Sequence, residues 1–297
     1  MANAINPTTH DFSVPYLTAN EYRNAPTAID IDNLVFNSSD PDVQESELVN
    51  VIARASSWID THCNQILGAT TETETQRSRL RNDGTIAFHP RYNPIIALTN
   101  LSVGSYPGQM YAVQNPGAAW LEDQQVIFPY SNMAWNWSSQ GPLAFGGPGV
   151  SGQQVYLQYT YVNGYANTRV VEAIEAESTM TVEHGTGITA GLKMKIYDGM
   201  YSEDVMVADT YEFGSEIVPL TRPLVYNHSV GVSVSALPPA IKEAAILATT
   251  AMLKVRGDNS LTMGVGTQPS QSFSDTQNIA GDLGMAMDLL KPYRRIR

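Results

Sequence analysis

Five histidines, one cysteine and a few short acidic or glycine-rich runs are the places where this chain could carry a reaction. His10, His62, His89, His184 and His228 stand apart, and no two have the spacing that sets imidazoles together on a helix face or hairpin to hold a metal. His62 adjoins Cys63 within a helical pattern, where a thiol reads as a small buried hydrophobe rather than a nucleophile. A single cysteine also excludes an intramolecular disulfide and a zinc site built on several thiolates. Gly149-Val-Ser-Gly152 lacks the second-glycine spacing of a nucleophile elbow. Gly264-Val-Gly266 has no phosphate-loop lysine and follows no strand pattern. Asp198, Glu203 and Asp204 could meet a hard cation, but they lack the spacing of a calcium loop. Neither an enzyme nor a cofactor is expected.

The elements around these residues are better defined than any chemistry. Thr18-Ala-Asn-Glu21 has the form of a capping box and predicts a short helix over about 18–25, ended by Pro26. Asp40 and Pro41 open a second helix. Its apolar stripe runs through Leu48, Val51, Ile52, Ala55, Trp58, Ile59, Cys63, Ile66 and Leu67, and Gly68 is the expected stop. Leu237 to Gly257 reads as a third, alanine-rich helix with prolines at its start, and it is the natural partner of that stripe.

Between these helices lie β segments at Thr85–His89, Ile95–Val103, Gln109–Val113, Ala118–Phe128 and Gln154–Val162, with Asn82-Asp-Gly84 and Asn163-Gly164 as turns. Arg77, Arg79 and Arg81 alternate, which would place all three on one face of a strand. Residues 129–153 form a long loop rich in glycine and aromatics, with Tyr130, Trp135, Trp137 and Phe145. Short strands recur from Ser178 and suggest an inserted β sandwich or barrel. After Gly257 a polar linker leads to a short helix over 282–290 and a basic end.

The expected fold is therefore α+β. It has a helical core of two long helices plus a short N-terminal one, a β region, and the inserted module. The corresponding domains are 1–177 with 236–257, 178–235, and an arm over 258–297.

Composition limits the partners. The chain has 297 residues, is 43% hydrophobic and 15% charged, and carries a net charge of −12. Residues 1–150 hold 14 acids against 6 bases, 151–235 hold 10 against 4, and 236–297 hold 5 against 7. An acidic body with a basic tail disfavours tight nucleic-acid binding by the body, because neutralising phosphates takes clustered Lys and Arg. No run has the apolar length of a bilayer span or the form of a signal peptide, so a soluble chain made in the cytoplasm is expected.

The order of elements carries a resemblance. Tyr16-Leu-Thr-Ala-Asn-Glu-Tyr22, Asp42 to Gly68, Tyr159-Thr-Tyr-Val-Asn-Gly164 and Pro238 to Gly257 together resemble the head-to-tail connector (adaptor) proteins of tailed bacteriophages. Gly187 to Gly199, Ser202 to Val207, Leu220 to Leu224 and His228 to Gly231 resemble the β insertion of the longer members. The likeness spans most of 16–257. The loop at 129–153 is a departure from minimal members.

The resemblance implies a structural virion protein in the neck. It would form a ring, dodecameric in the family, on the portal protein. It would also meet a head-completion (stopper) or tail-completion protein, while genomic DNA passes through without sequence-specific binding. A subunit of such a ring presents two different lateral faces, a use that suits the 129–153 loop. Acids lining the channel would let DNA slide, and Glu45, Glu47, Asp60, Glu72 and Glu74 are the candidates. The portal-docking arm would use Leu283, Met287, Leu290, Lys291, Tyr293, Arg294, Arg295 and Arg297. The competing reading is a receptor- or carbohydrate-binding β-rich tail protein, with Trp135 and Trp137 meeting sugar.

Overall fold

The structure, a computed structural model, describes residues 14–27, 29–35, 38–113, 115–122, 125–129, 154–261 and 271–295, with side chains left undescribed at 105, 106, 109, 255–261 and 271–280. The loop residues Tyr130, Trp135, Trp137 and Phe145, and the terminal Arg297, lie outside the described residues. The chain divides into two compact units, one taking in Ala69–Gly164 and the other His10–Gly68 with Tyr165–Arg297.

The expectation of an α+β fold organised on two long helices is overturned. Among the described residues, thirteen strands in three antiparallel sheets stand against four α-helices. Strands build two of the three hydrophobic cores. The reason is visible in the strand Thr70–Arg79, whose sequence is wholly polar. One face of such a strand meets water, and the other is closed by buried polar contacts rather than by an apolar stripe.

The first unit is a pair of facing sheets. Strands β1 (Thr70–Arg79), β3 (Ile95–Tyr106), β4 (Gln109–Ala112) and β7 (Gln154–Asn163) make one sheet in the order β1-β7-β3-β4. Strands β2 (Thr85–Phe88), β5 (Trp120–Glu122) and β6 (Gln125–Pro129) make the other, in the order β2-β6-β5. Alternation along β7 turns Val155, Leu157, Tyr159 and Tyr161 inward, against Ile86 and Phe88 of β2 and Val126 and Phe128 of β6.

The second unit holds the helices and a half-barrel. The helices are α1 (Ala19–Asn24), α2 (Pro41–Cys63), α3 (Pro239–Leu261) and α4 (Gln271–Leu290). The Thr18–Glu21 capping box forms as its sequence implies. Asp40 caps α2 by accepting from Asp42 N–H at 3.1 Å. Its end differs from expectation: α2 stops at Cys63, because Asn64 takes the left-handed conformation (φ 55°) one turn before Gly68. Leu48, Val51, Ile52, Ala55, Ile59 and Cys63 are the buried face of α2, and Ala244, Ala245, Ala248 and Ala251 that of α3.

Two further expectations fail at the C-terminal end. α3 runs through Gly257 to Leu261, so that glycine is no stop. The helix expected over 282–290 forms but starts earlier, since the end of the expected linker joins α4, which packs along α3 and buries Ala286 and Leu290 completely.

Strands β8 (Asn167–Ala173), β9 (Thr179–Val182), β10 (Lys193–Tyr197), β11 (Glu203–Met206), β12 (Ile217–Pro219) and β13 (Ser233–Ser235) form the third sheet, in the order β11-β10-β13-β8-β9-β12. Its two end strands meet. Val207 bridges Leu220, Ala208 N–H donates to Pro219 O at 2.8 Å, and Thr221 N–H donates to Met206 O at 2.9 Å. The sheet thus curls into a half-barrel, pinned at one seam, around Val170, Met180, Val182, Met194, Ile196, Val218 and Val234. It takes in β8, so it begins before residue 178. At Gly185 the backbone passes so close to Ser215 that a Cβ would lie 2.2 Å from the Ser215 carbonyl oxygen, which only glycine permits.

Candidate functional site

The best-built polar cluster lies at one rim of the barrel. β10 ends at Tyr197, Asp198 leads into a short 3-10 turn (Gly199–Tyr201), and β11 begins at Glu203. These two acids flank His228 from opposite sides. Asp198 Oδ2 is 3.1 Å from His228 Nδ1, and Glu203 Oε1 is 2.8 Å from Nε2. Both contacts are hydrogen bonds only when both ring nitrogens carry protons. Glu203 also accepts from the backbone N–H groups of Val225 and Tyr226, at 3.1 and 3.2 Å.

The His228 side chain is 0% exposed, so neither ring nitrogen is in direct contact with solvent. The cluster therefore works as a clamp on two loops. Those loops present Met200, 88% exposed, and Val225, 59% exposed, with Tyr201 and Tyr226 in edge-to-face contact at 5.4 Å. Apolar side chains held outward by a buried polar clamp make a contact surface.

A second cluster joins the helices to the barrel. Lys242 on α3 is buried, and its Nζ donates to Glu21 Oε1 at 2.6 Å and Ser233 Oγ at 3.1 Å while lying 4.2 Å from the centre of the Tyr197 ring. Burial pulls the ammonium below the usual lysine range, and Glu21 opposes that pull. Glu21 thus caps α1 and neutralises Lys242 with the same carboxylate.

The acids chosen as channel-lining candidates separate into two groups. Glu45 and Glu47 lie on α2 paired with Arg23 at 3.0 Å and Arg54 at 2.8 Å. The other three are engaged inside their units, which corrects the expectation for them. Asp60 accepts from the Tyr16 hydroxyl and Leu67 N–H, and burial pushes its carboxyl up to about 7 against those hydrogen bonds. Glu72 is 4% exposed, and burial followed by the nearby Glu74 raises its carboxyl above the usual range. Glu74 accepts from Tyr161 Oη at 2.6 Å, Tyr159 Oη at 3.0 Å and Arg91 N–H at 3.1 Å. These contacts follow from register, since Glu72 and Glu74 stand opposite Tyr161 and Tyr159 across β1 and β7.

The arm residues are seated on the second unit. Leu290 is fully buried, Leu283 half-buried, and Met287 exposed. Lys291 is exposed and pairs with Asp288 at 2.7 Å. Tyr293 meets Tyr165 edge-on and its carbonyl accepts from Gln65, while Arg294 is exposed. Arg295 N–H donates to Cys63 O at 2.9 Å, and Asn64 donates back to Arg295 O at 3.2 Å. Cys63 itself is buried and its thiol is pushed up to about 12, first by burial and then by Asp60, which makes it unreactive. His62 stacks on Trp58 at 5.5 Å instead of engaging that thiol. Arg77 and Arg79 do share the exposed face of β1, where Arg77 stacks over Tyr156 at 5.0 Å.

Sequence reasoning grouped Asp198 and Glu203 with Asp204 but left His228 apart from them. Glu203 and Asp198 lie 25 and 30 residues from it, with no local period linking them. Among the described residues, no group of three or more His, Cys, Asp or Glu has the arrangement to hold a metal ion, and no helix is long and apolar enough to cross a membrane.

Fold and site together define a β-rich, two-unit protein with an exposed apolar cluster of Met200, Tyr201, Val225 and Tyr226. Comparison with family models, curated proteins and solved structures finds no match.

Proposed function

We propose that this chain is a structural virion protein, an adaptor subunit that forms a ring with its own copies between the portal of a tailed-phage head and the tail. The observation that carries the reading is the exposed cluster of Met200, Tyr201, Val225 and Tyr226. Apolar side chains grouped in this way mark a surface that another protein covers. The likeness of residues 16–257 to the connector family supplies the identity of the partners, which are the portal protein and a head-completion or tail-completion protein. In this reading the arm docks in its folded state, through Met285, Met287, Lys291 and Arg294, which are exposed on α4 and just beyond it. Glu45 and Glu47 remain as acids that a passing DNA backbone would meet, each already moderated by an arginine. The genome then slides past without sequence-specific binding.

The test is direct. Purified chain is mixed with portal-bearing, tail-less heads and imaged by cryo-electron microscopy. The expected result is a ring coaxial with the portal. Protein that decorates the capsid shell, or leaves the portal vertex bare at saturating concentration, overturns the reading.

A further inference from the structure

A groove of about 810 Å³ runs within the second unit, over the outer face of β10 and β11. Residues 221–223 flank it beside β11, and the start of α3, with Leu237 and Pro239, flanks it beyond β13. Alternation along β10 buries Met194 and Ile196 and turns Lys193 and Lys195 outward into the groove. Arg222 lines it from the other flank and is also exposed.

The charges in this groove are unusual for the chain. Elsewhere in the second unit Arg23, Arg54, Lys242, Lys254 and Lys291 each hold an acidic partner. Among the described residues, Lys193, Lys195 and Arg222 make no ion pair, and Lys195 only faces the Tyr197 ring at 5.6 Å. Two acids line the same groove. Glu203 is already committed to His228 and to the N–H groups of Val225 and Tyr226. Asp204 stands opposite Lys195 in the ladder and offsets one base, so positive charge remains in excess. In a protein of net charge −12, that local excess points to an anionic occupant.

Spacing narrows the occupant further. Lys193 and Lys195 project from one strand face about 7 Å apart, the interval at which any extended polypeptide carries its own alternate side chains. Acids at alternate positions of an extended segment therefore meet both lysines at once. Exposed Met206, opposite Lys193, with Pro223 and Pro239, offers apolar surface to the stems of those acids. Nucleic acid fits less well, because it needs a broader basic patch than three bases beside Asp204 on an acidic body. We propose that this groove docks an extended acidic segment of a partner protein, with Lys193 and Lys195 taking alternate carboxylates and Arg222 a further one. This docking holds whether or not the chain is an adaptor.

The probe is a fluorescein-labelled peptide of alternating Glu and Thr, titrated by anisotropy into the full chain at constant ionic strength. A second peptide of equal charge places two Thr between successive Glu, which turns those acids to opposite faces. The first peptide is expected to bind more tightly than the second. Replacing both lysines, Lys193→Gln with Lys195→Gln, should weaken the first peptide about tenfold, the scale of two partly shielded charge pairs. Arg222→Gln should weaken it by a smaller factor, and Lys193→Arg with Lys195→Arg should retain it. Arg77→Gln with Arg79→Gln removes the same charge from the exposed face of β1 and should leave binding unchanged. All three groove side chains are exposed, so the melting temperatures of these variants should match the wild type.

Equal affinity for the two peptides, or equal losses from the lysine pair and the Arg77–Arg79 pair, would reduce the effect to unspecific charge and overturn the proposal. So would a single-stranded oligonucleotide of equal charge that binds more tightly than the peptide and is lost in the lysine variant.

Discussion

Two buried charges set the residue-scale behaviour of this protein. Asp60 is held near the end of α2 by Tyr16 and Leu67 N–H, and its carboxyl is raised to about 7 by burial. A folded-state value above the unfolded one means that folding favours the protonated form. The stabilising contribution is full below about pH 4 and is lost as pH rises through 7. Asp60→Asn is expected to remove a slope worth about 2–4 kcal/mol between pH 4 and 8, read from urea unfolding at a series of pH values. An unchanged slope would place the pH dependence elsewhere.

Lys242 and Glu21 answer to a different rule, since their side chains are 6% and 7% exposed and depend on each other. Lys242→Met alone leaves a buried carboxylate and should cost about 3–5 kcal/mol. Adding Glu21→Gln keeps the capping box and should recover most of that loss in a double-mutant cycle. Strictly additive losses would mean that the pair does not act as a unit.

At the scale of elements, α4 changes what removing the C-terminal end should do. A chain ended at Gly257 would lose Ala286 and Leu290, both fully buried, and Arg295 N–H, which donates to Cys63 O. An arm over 258–297 hung on a polar linker, as read from the sequence, implies that such a chain still folds. The packing instead predicts a loss of about 3 kcal/mol or more, visible as a lower melting temperature or as aggregation; an unchanged melt would sink this. The starts of α1, α2 and α3 were legible because capping is local: Thr18 with Glu21, Asp40 with Pro41, and Pro238 with Pro239 all lie within a few residues of the turn they serve. Ends were less legible, because Asn64 can take a left-handed conformation as Gly68 can, and Gly257 can stay helical when α3 has a neighbour to pack on. The alternating arginines of strand β1 were legible, but its inward face was hidden for a different reason. Its inward residues Glu72, Glu74 and Gln76 are polar, and only the tyrosines of β7, more than 80 residues away, explain them. The Asp198–His228–Glu203 clamp was illegible for the same reason, since its members meet only once the half-barrel has formed.

On the scale of the whole chain, the first unit is an insertion into the second. The chain leaves at Gly68 and returns at Tyr165, residues joined by a parallel bridge, and Tyr165 N–H donates to Leu67 O at 2.8 Å. Ends that close need only a short connection. Replacing 69–164 by a short Gly-Ser linker is expected to leave the second unit with a cooperative thermal transition and its barrel intact, measured by calorimetry and by amide exchange at Val170, Ile196 and Val234. Rapid exchange at those amides would show that the second unit does not fold without the insertion.

The hydrogen-bonded seam between the two end strands of the half-barrel bears on how such a protein survives at high local concentration. Strand edges left open recruit strands from other molecules, and proteins normally blunt them with charges, prolines or bulges. Here β11 and β12 occupy each other through Val207, Ala208, Leu220 and Thr221. At that seam the backbone groups of Met206, Ala208, Pro219 and Thr221 are already taken, which limits what a neighbouring strand could add there. Whatever joins at that seam relies on the shape and chemistry of side chains, which can be selective where a bare strand edge cannot.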